Sequence, residues 1–429
     1  MRLGGRMGAA IEVLADMESR RRPVADALKD WGLSHRFAGS GDRAAIGNLV
    51  YDVLRRRRSL GWRMDDASPR ALVVAALLDA GSAEALSAQL AGDRFAPELP
   101  EEAQLQAFAD RDLALAPDPV RADVPDWLAG PLRESLGHDW VEEAAALSRR
   151  PPLDMRANTL KADRAKVLKA LEPFAPEPTP LAPEGLRVPP IAGDGRHPNV
   201  QVEAAFQKGW FEIQDEGSQL AARLAGATPG AQILDLCAGA GGKTLALAAA
   251  MEGRGQVHAY DADRQRLAPI YDRLQRAEAR NVQVHAPRDD LSALDGAMDL
   301  VLVDAPCTGS GTWRRRPDAK WRLSETALAK RIIEQDAVLD RAAPFVKPGG
   351  RLVYITCSVL AAENADRVKA FTHRHPEFQV LDAEALWREA LPDRPTAYRA
   401  SALEGGAVLT LTPRTSGTDG FFFASLERK

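Results

Sequence analysis

Short apolar runs alternate with helical stretches along the second part of this 429-residue chain, from about residue 209 onward. The apolar runs predict five strands, over residues 232–236, 256–260, 282–285, 300–303 and 352–355. Helical spacing between them predicts helices over residues 243–251, 264–279, 324–343 and 361–373. Such alternation is typical of βαβ units, so we expect an α/β fold with a doubly wound parallel sheet. Two later runs, 408–411 and 421–426, predict a terminal antiparallel hairpin.

The first part of the chain has another character. Apolar residues recur at helical spacing there, for example over residues 44–54 and 70–80, and strand signals are absent. We predict a separate all-α domain over residues 1–147. Its first 70 residues carry 14 Arg and Lys against 9 Asp and Glu, although the net charge of the whole chain is −4. This local excess leaves room for a nucleic-acid partner that the total charge does not suggest.

A short region of mixed pattern joins the two parts. A strand-like piece at 154–160, a helix-like piece at 162–171 and a proline-rich stretch at 173–190 predict a small α/β subdomain over residues 148–210. The proline-rich stretch must be loop or extended chain. The sheet domain then spans residues 211–429, and a division into two or three domains suits a chain of this length.

The composition is that of a globular protein that works in water. Hydrophobic residues make up 45% and charged residues 27%, and no apolar run reaches the roughly 20 residues that span a bilayer. The amino terminus lacks a signal-peptide pattern, and 3 Cys are too few for a disulfide framework. We therefore expect a cytoplasmic protein with reduced thiols and no membrane partner. A monomer without a metal is the default expectation, on which the composition is silent.

A glycine-rich turn follows the first strand of the sheet domain, at residues 235–244 (Asp-Leu-Cys-Ala-Gly-Ala-Gly-Gly-Lys-Thr). Small residues let the backbone approach a ligand and point N–H groups at it from a helix amino terminus. A Walker A loop fails at Cys237 and the dinucleotide fingerprint fails at Thr244. Asp261 ends the second strand, where an acid commonly binds a ribose hydroxyl. The pattern favours an adenosine-type cofactor over a tight turn without a ligand.

Two cysteines each follow a strand-like run: Cys307 follows residues 299–303, and Cys357 follows residues 351–355. Ligands of an open parallel sheet bind beyond the carboxyl ends of its strands, so we expect both thiols in one crevice. A single buried Cys is usually inert, whereas two at neighbouring strand ends indicate covalent chemistry. The Arg run at 314–316 follows the Cys307 loop, and this proximity favours phosphate binding over a merely solvated face.

These motifs, in this order, resemble those of the RNA cytosine-5 methyltransferases of the Nol/Nop/Sun family. The matching segments are residues 235–244, 304–311 (Asp-Ala-Pro-Cys-Thr-Gly-Ser-Gly) and 356–358 (Thr-Cys-Ser), with further matches at 214–218, 316–321, 363–364 and 419–422. The resemblance covers residues 150–429. The helical front resembles the NusB-type RNA-binding module that precedes this domain in a bacterial branch acting on small-subunit ribosomal RNA.

The resemblance implies a Rossmann-like methyltransferase sheet and S-adenosylmethionine as the cofactor. The residues that it assigns to the cofactor are Cys237, Ala238, Gly239, Ala240, Gly241, Gly242, Lys243, Asp261, Arg266, Asp289 and Asp304. Asp289 is given for the adenine, although Asp290 fits that place equally well. The family's usual Ala-Ala-Pro-Gly-Gly-Lys reads Ala-Gly-Ala-Gly-Gly-Lys at 238–243, and because the small residues are kept we expect the cofactor to bind.

The resemblance also implies the chemistry. Cys357 attacks C6 of a cytosine, Asp304 hydrogen-bonds the pyrimidine edge, and Cys307 assists removal of the C5 proton and release of Cys357. The implied partner is RNA, whose target base must be unstacked to reach both thiols. The residues expected to hold this RNA are Arg314, Arg315, Arg316, Lys320, Arg156 and Asn158.

Other interpretations make different predictions. A methyltransferase for proteins or small molecules has no use for the second cysteine, and a nicotinamide-dependent dehydrogenase needs the fingerprint that fails at Thr244. A non-catalytic ribosome-assembly factor would bind RNA without methyl transfer. Within the family, transfer RNA and large-subunit ribosomal RNA are the alternatives to small-subunit ribosomal RNA as the substrate.

Overall fold

The computed structural model describes residues 1–193 and 195–429. The chain divides into two compact units. The first, which we call the helical unit, consists of Met1–Arg150, Ile191–Arg196 and Trp313–Leu323. The second, the sheet unit, consists of Pro151–Pro190, His197–Thr312 and Ser324–Lys429.

The described residues of the helical unit form α-helices and no strands. Numbered along the chain, the helices are α1 (Leu3–Arg20), α2 (Val24–Ser34), α3 (Ser40–Arg55), α4 (Arg57–Met64), α5 (Pro69–Leu78), α6 (Ala83–Leu90), α7 (Glu102–Asp110), α8 (Asp118–Arg121), α9 (Ala129–Leu136), α10 (Trp140–Ala146) and α17 (Pro317–Arg322). Helix α5 is apolar around most of its surface, as expected of a central helix, and Ser68 caps it by accepting a hydrogen bond from the N–H of Ala71. The predicted helices at 44–54 and 70–80 overlap α3 and α5.

Among the described residues, no single helix is long and apolar enough to cross a membrane, although the bent pair α5 and α6 passes that test of length and composition together.

The segment Trp313–Leu323 packs within the helical unit, whereas its position in the sequence predicts the sheet domain. Helix α3 leaves the carbonyl groups of its last turn without partners inside the helix. Lys320 Nζ donates to the carbonyl oxygen of Arg55 at 3.0 Å, and Trp321 Nε1 donates to that of Leu54 at 2.7 Å. The segment therefore caps α3 from 265 residues further along the chain.

A four-stranded antiparallel sheet opens the sheet unit, in the order β2-β3-β1-β4. Its elements are β1 (Leu153–Ala157), α11 (Arg164–Ala170), β2 (Glu177–Pro178), β3 (Gly185–Val188), α12 (Ala204–Gln207) and β4 (Phe211–Ile213). The register places Met155 of the central strand β1 between Leu186 and Ile213. The predicted strand and helix of this region overlap β1 and α11, and the proline-rich stretch contains β2 and β3.

The main sheet has nine strands in the order β11-β12-β13-β9-β8-β5-β6-β7, with β10 paired to β13. Its strands are β5 (Gln232–Asp235), β6 (Gln256–Tyr260), β7 (Val282–His285), β8 (Met298–Asp304), β9 (Val346–Thr356), β10 (Phe378–Val380), β11 (Arg399–Leu403), β12 (Gly406–Leu411) and β13 (Phe421–Arg428). The helices around it are α13 (Glu216–Leu224), α14 (Gly242–Ala250), α15 (Arg264–Leu267), α16 (Ile270–Ala277), α18 (Glu325–Ala342), α19 (Ala365–Arg374) and α20 (Ala383–Ala390).

The doubly wound α/β fold with a terminal hairpin is confirmed. All five predicted strands are present and pair in parallel, and β12 pairs antiparallel with β13, which in turn pairs with β9. Strands β10 and β11 were not predicted. Strand β11 is largely exposed and β10 has only three residues, so neither carries an apolar run that separates it from a loop.

The chain runs outward from β5 through β6 to β7 and then returns to β8, on the other side of β5. The strand order therefore reverses between β5 and β8, where open α/β sheets bind their ligands. The carboxyl ends of β5, β8 and β9 lead into the glycine-rich turn, the Cys307 loop and the Cys357 loop. These three segments define the candidate site.

Candidate active site

Cys307 and Cys357 lie on the loops that follow β8 and β9, two neighbouring parallel strands. Their Sγ atoms are 3.4 Å apart, and both residues are half-buried. The closeness follows from the register, because Asp304 at the end of β8 lies opposite Ile355 near the end of β9. A hydrogen bond with Cys357, burial, and the charges of Cys357 and Glu363 raise the pKa of Cys307 well above its usual range. Cys307 therefore rests as a thiol.

An ion pair joins Asp304 to the glycine-rich turn. Lys243, in the first turn of α14, places its Nζ 2.7 Å from Oδ2 of Asp304. The Lys243 side chain is 7% exposed and that of Asp304 is 34% exposed. The buried ammonium thus holds a carboxylate that still faces solvent at the sheet edge where the thiols lie.

The glycine-rich turn adopts conformations that favour glycine. Gly239 and Gly241 have φ values of +49° and +84°. A Cβ at Gly241 would lie 2.5 Å from Cγ1 of Ile270, so that position tolerates no side chain. A Cβ at Gly239 would lie at ordinary contact distance, 3.5 Å from Nη2 of Arg266 and 3.8 Å from Oδ2 of Asp261, so the positive φ rather than lack of room favours glycine there.

Asp261 connects β6 to this turn. Its Oδ2 accepts a hydrogen bond from the N–H of Gly239 at 2.9 Å, and its Oδ1 accepts one from the N–H of Asp263 at 2.8 Å. Arg266 Nη2 lies 3.7 Å from Oδ2. Because each carboxylate oxygen has a second acceptor site, Asp261 can still receive a hydroxyl of a bound ligand.

The turn begins with a buried carboxyl group, Asp235, and a half-buried thiol, Cys237. Burial raises the pKa of the Cys237 thiol far above its usual range, so Cys237 stays protonated and offers only its backbone. Asp235 accepts a hydrogen bond from Oγ1 of Thr244 at 2.7 Å, and burial raises the pKa of Asp235 to about 7. Cys237 follows β5, whereas the paired thiols follow β8 and β9.

The two candidates for the adenine end both follow β7 and both are exposed. Oδ2 of Asp289 accepts a hydrogen bond from the N–H of Ala286 at 2.7 Å. The two carboxylate oxygens of Asp290 accept hydrogen bonds from Ser292, one from its N–H and one from its hydroxyl. These contacts leave the choice between the two residues open.

The six residues expected to hold RNA fall into two groups. Arg316 is exposed and Arg315 is half-buried. The other four are buried: Arg314, Lys320, Arg156 and Asn158.

The side chains of Lys320, Arg156 and Asn158 donate to other groups of the protein, so their contact with RNA stays a prediction. Nζ of Lys320 donates within the helical unit, as described above, and also to Oγ of Ser148 at 2.9 Å. Nε of Arg156 donates to Oε1 of Gln214 at 2.7 Å. The amide of Asn158 donates to two backbone carbonyl groups, both at 2.9 Å. Arg314 is 5% exposed, and its carbonyl oxygen accepts hydrogen bonds from the Arg55 guanidinium.

Cavity size does not mark this site. A cavity of about 1090 Å³ opens at the opposite edge of the main sheet and is lined by residues before β5 and at the start of β8, among them Ala231 and Asp299. Neither thiol of the pair and no residue of the turn from Cys237 to Lys243 lines it.

Two residues near the thiols, Glu363 and Asn364, match the family motifs but have no role assigned by the resemblance. Glu363 and Asn364 follow the Cys357 loop, and both are buried. Asn364 donates to the carbonyl oxygen of Ser358 at 2.9 Å and accepts from Oγ1 of Thr356 at 2.6 Å, so it braces the backbone on both sides of Cys357. The only signal in the sequence was their position six and seven residues after Cys357.

Comparison with known proteins agrees with the motifs. The family model described as 16S rRNA methyltransferase RsmB/F matches residues 223–427, and a model for the ferredoxin-like domain of RsmF/B-like methyltransferases matches residues 124–190. The chain is 28% identical to the probable ribosomal RNA small subunit methyltransferase B of Synechocystis sp., over 98% of each chain. It is 33% identical to the ribosomal RNA small subunit methyltransferase B of Salmonella newport, over 77% of this chain and 70% of that one.

The fold has a solved counterpart. The crystal structure of the protein PH0851 covers 100% of this chain and 99% of its own, with a TM-score of 0.72 and 24% sequence identity. This likeness supports the fold, and the sequence relatives support the family. The chain therefore belongs to the RsmB/F family of S-adenosylmethionine-dependent 16S rRNA methyltransferases.

Proposed function

We propose that this protein methylates C5 of a cytosine in RNA through a covalent bond between Sγ of Cys357 and C6 of the ring. The observation that carries the proposal is the pair of Sγ atoms 3.4 Å apart at neighbouring strand ends. C5 of cytosine is a poor nucleophile until a group adds at C6, and its proton must then be removed, so the reaction needs two groups. Methyl transfer to an oxygen or a nitrogen needs neither thiol.

The turn and its neighbours fit the cofactor. Asp261, which accepts a hydrogen bond from the N–H of Gly239, is placed to receive a ribose hydroxyl, and the backbone of the turn suits the methionine end. S-adenosylmethionine, when bound, supplies an electrophilic methyl group.

Cys357 acts first in the proposed sequence. Its thiolate adds to C6, the C5–C6 double bond opens, and electron density moves toward N3. Asp304, held by Lys243, hydrogen-bonds the pyrimidine edge and favours protonation at N3. C5 then takes the methyl group, and S-adenosylhomocysteine is left. Cys307 accepts the C5 proton, and expulsion of Cys357 as a thiolate, with loss of the N3 proton, restores the ring.

Cys307 changes character during this sequence. In the free protein its pKa is raised first by its hydrogen bond with Cys357, and the charge of Cys357 contributes as well. Once Cys357 is bonded to carbon its charge is lost, and the thioether sulfur is only a weak hydrogen-bond acceptor. The pKa of Cys307 should therefore fall at the stage when a base is needed to remove the C5 proton.

The test is a denaturing gel of the Cys307→Ser variant after incubation with unmodified 16S rRNA and S-adenosylmethionine. We expect a slow-migrating protein–RNA adduct, because Cys357 can add but cannot be released. The matched control is Cys307→Ser with Cys357→Ser, which should give no adduct. Methylation of cytosine by a protein that lacks Cys357 would overturn the mechanism.

We propose small-subunit ribosomal RNA as the substrate, because the relatives at 28% and 33% identity carry that substrate in their names. The same assay with 23S rRNA and with transfer RNA tests this choice. RNA binding without methyl transfer to any of the three would favour the assembly factor instead.

A further inference from the structure

Glu363 is a fully buried carboxylate that accepts four hydrogen bonds. Its Oε1 accepts from the N–H of Thr308 at 2.7 Å and from Nε2 of Gln335 at 3.0 Å. Its Oε2 accepts from Oγ1 of Thr308 and from Oγ of Ser358, both at 2.5 Å. A buried charge is tolerated only when its acceptor sites are filled in this way.

The donors come from both cysteine loops. Thr308 follows Cys307 directly, and Ser358 follows Cys357 directly. Gln335, from α18, also donates to the carbonyl oxygen of Pro306, the residue before Cys307. One carboxylate therefore binds the chain beside each thiol.

A second contact runs in parallel with this one. Oγ of Ser310 lies 2.8 Å from Oγ of Ser358 and accepts a hydrogen bond from the N–H of Val359 at 2.9 Å. Hydroxyl–hydroxyl bonds are neutral, whereas those to Glu363 are charge-assisted and roughly twice as strong. The N–H of Gly311 also donates to the carbonyl oxygen of Cys357 at 2.9 Å, so Glu363 supplies the charge-assisted bonds among several connections between the loops.

We propose that Glu363 is the positioning residue that sets the separation of the two thiols, by holding the Cys307 loop and the Cys357 loop to one carboxylate. The effect on catalysis rests on the proposed function. If the loops were loosened, Cys357 and Cys307 would no longer be held together at the distance that adduct formation and release require. The thiol separation itself can be measured without RNA.

The measurement uses oxidised glutathione as the probe. Cys307 and Cys357 each lose a proton and together form one S–S bond, while the glutathione disulfide takes up the two electrons and two protons and leaves as two glutathione thiols. Closure of the internal bond, followed by mass spectrometry under denaturing conditions, reports how often the two Sγ atoms meet.

Compared at equal fractions of Cys307 thiolate, Glu363→Gln should slow this closure by about tenfold or more, because displacements near 1 Å carry penalties of that size in intramolecular reactions. Glu216→Gln is the matched control. Glu216 is also fully buried, and its partners are the N–H groups of Leu181 and Ala182 and the guanidinium of Arg187, none of which lies on a cysteine loop. The control should close within about twofold of the wild-type rate, as expected for a site that is independent of the thiols.

A second measurement separates the effect of the Glu363 charge from the effect of its side-chain length. The negative charge of Glu363 contributes to the raised pKa of Cys307, so Glu363→Gln should shift alkylation of Cys307 by iodoacetamide to lower pH. Glu363→Asp keeps the charge but shortens the side chain, so it should leave that pH profile in place and still slow closure. A substitution that merely unfolded the loops would expose both thiols and would not separate these effects.

Internal closure by Glu363→Gln at the wild-type rate would overturn the proposal. If Glu363→Gln does not fold, Thr308→Val removes one of the four bonds and should slow closure by a smaller factor. If Glu363→Gln closes slowly but the wild-type protein does not methylate cytosine in RNA, the proposed function is disproved and the positioning role stands. Slow closure of Glu363→Gln together with a kcat that falls more than KM changes would support both.

Discussion

The cysteine loops and the basic segment Trp313–Leu323 differ in how far their reactive side chains reach solvent. Both thiols stay half-buried at a sheet edge, and the polar partners that hold their loops are buried. In the basic segment Lys320 is fully buried and Arg314 nearly so, because their polar groups serve the packing of the helical unit. A place at the end of a parallel strand therefore predicts access to ligands better than positive charge does.

The largest effect is expected at the thiol pair. Cys357→Ser replaces the nucleophile with a hydroxyl that is not ionised near neutral pH, so methyl transfer should fall by about 10⁴-fold or more. Transfer of labelled methyl groups from S-adenosylmethionine to 16S rRNA measures this. A loss of less than about tenfold would mean that the pair is not the reacting centre.

The next effect concerns Asp235, beneath the glycine-rich turn. Burial raises the pKa of Asp235 to about 7, above its value near 3.9 in an unfolded chain. The folded protein thus binds the proton of Asp235 more tightly than the unfolded chain does. The resulting contribution to the free energy of unfolding is complete below pH 3.9 and is lost as the pH rises through 7. Between those values the wild type should lose roughly 4 kcal/mol of stability relative to Asp235→Asn.

Urea unfolding of the two proteins between pH 4 and 8 checks this prediction. Parallel stability curves would show that Asp235 is ionised in the folded protein throughout that range.

Lys320 should show the opposite pH dependence, in the helical unit. Burial lowers the pKa of Lys320 to about 8, below its unfolded value near 10.4. The unfolded chain then binds more protons between those values, so the stability of the wild type should rise by roughly 3 kcal/mol across that window relative to Lys320→Met. Urea unfolding between pH 7 and 10.5 measures the difference.

Lys320→Met also tests whether Lys320 belongs to an RNA-binding surface. Because its ammonium is buried, the salt dependence of RNA affinity should match that of the wild type. A smaller salt slope for this variant would show that Lys320 does reach a phosphate and that the contrast between the two regions is wrong.

The smallest effect is expected at Arg316, the exposed member of the Arg run. If it contacts one phosphate, Arg316→Ala should weaken RNA binding a few-fold and reduce the slope of log K against log salt by about 1. Titrations of 16S rRNA at several salt concentrations measure this. Arg322→Ala is the control, since that exposed arginine already pairs with Asp318 at 2.9 Å and should change neither quantity.

Much of the sheet unit could be predicted from local pattern. Strands β6 and β7 have the predicted bounds, and β5, β8 and β9 contain or closely match the predicted runs. This works because central parallel strands are buried on both faces and so appear as continuous apolar runs. The positions of Cys307 and Cys357 followed from those strands, since side chains just past the carboxyl ends of parallel strands meet at one edge.

Other features depend on partners that no local pattern records. Lys320 is buried because the end of α3, 265 residues away, presents carbonyl groups that need a donor. Glu363 is buried because Thr308, 55 residues away, and Gln335 supply hydrogen bonds to it. The linear pattern of apolar residues was enough to place the strands and the two thiols, because burial on both faces of a strand is written in consecutive residues. Which charged side chains lie inside was decided only by the tertiary structure, because the free energy of a buried charge depends on donors and acceptors that folding brings together.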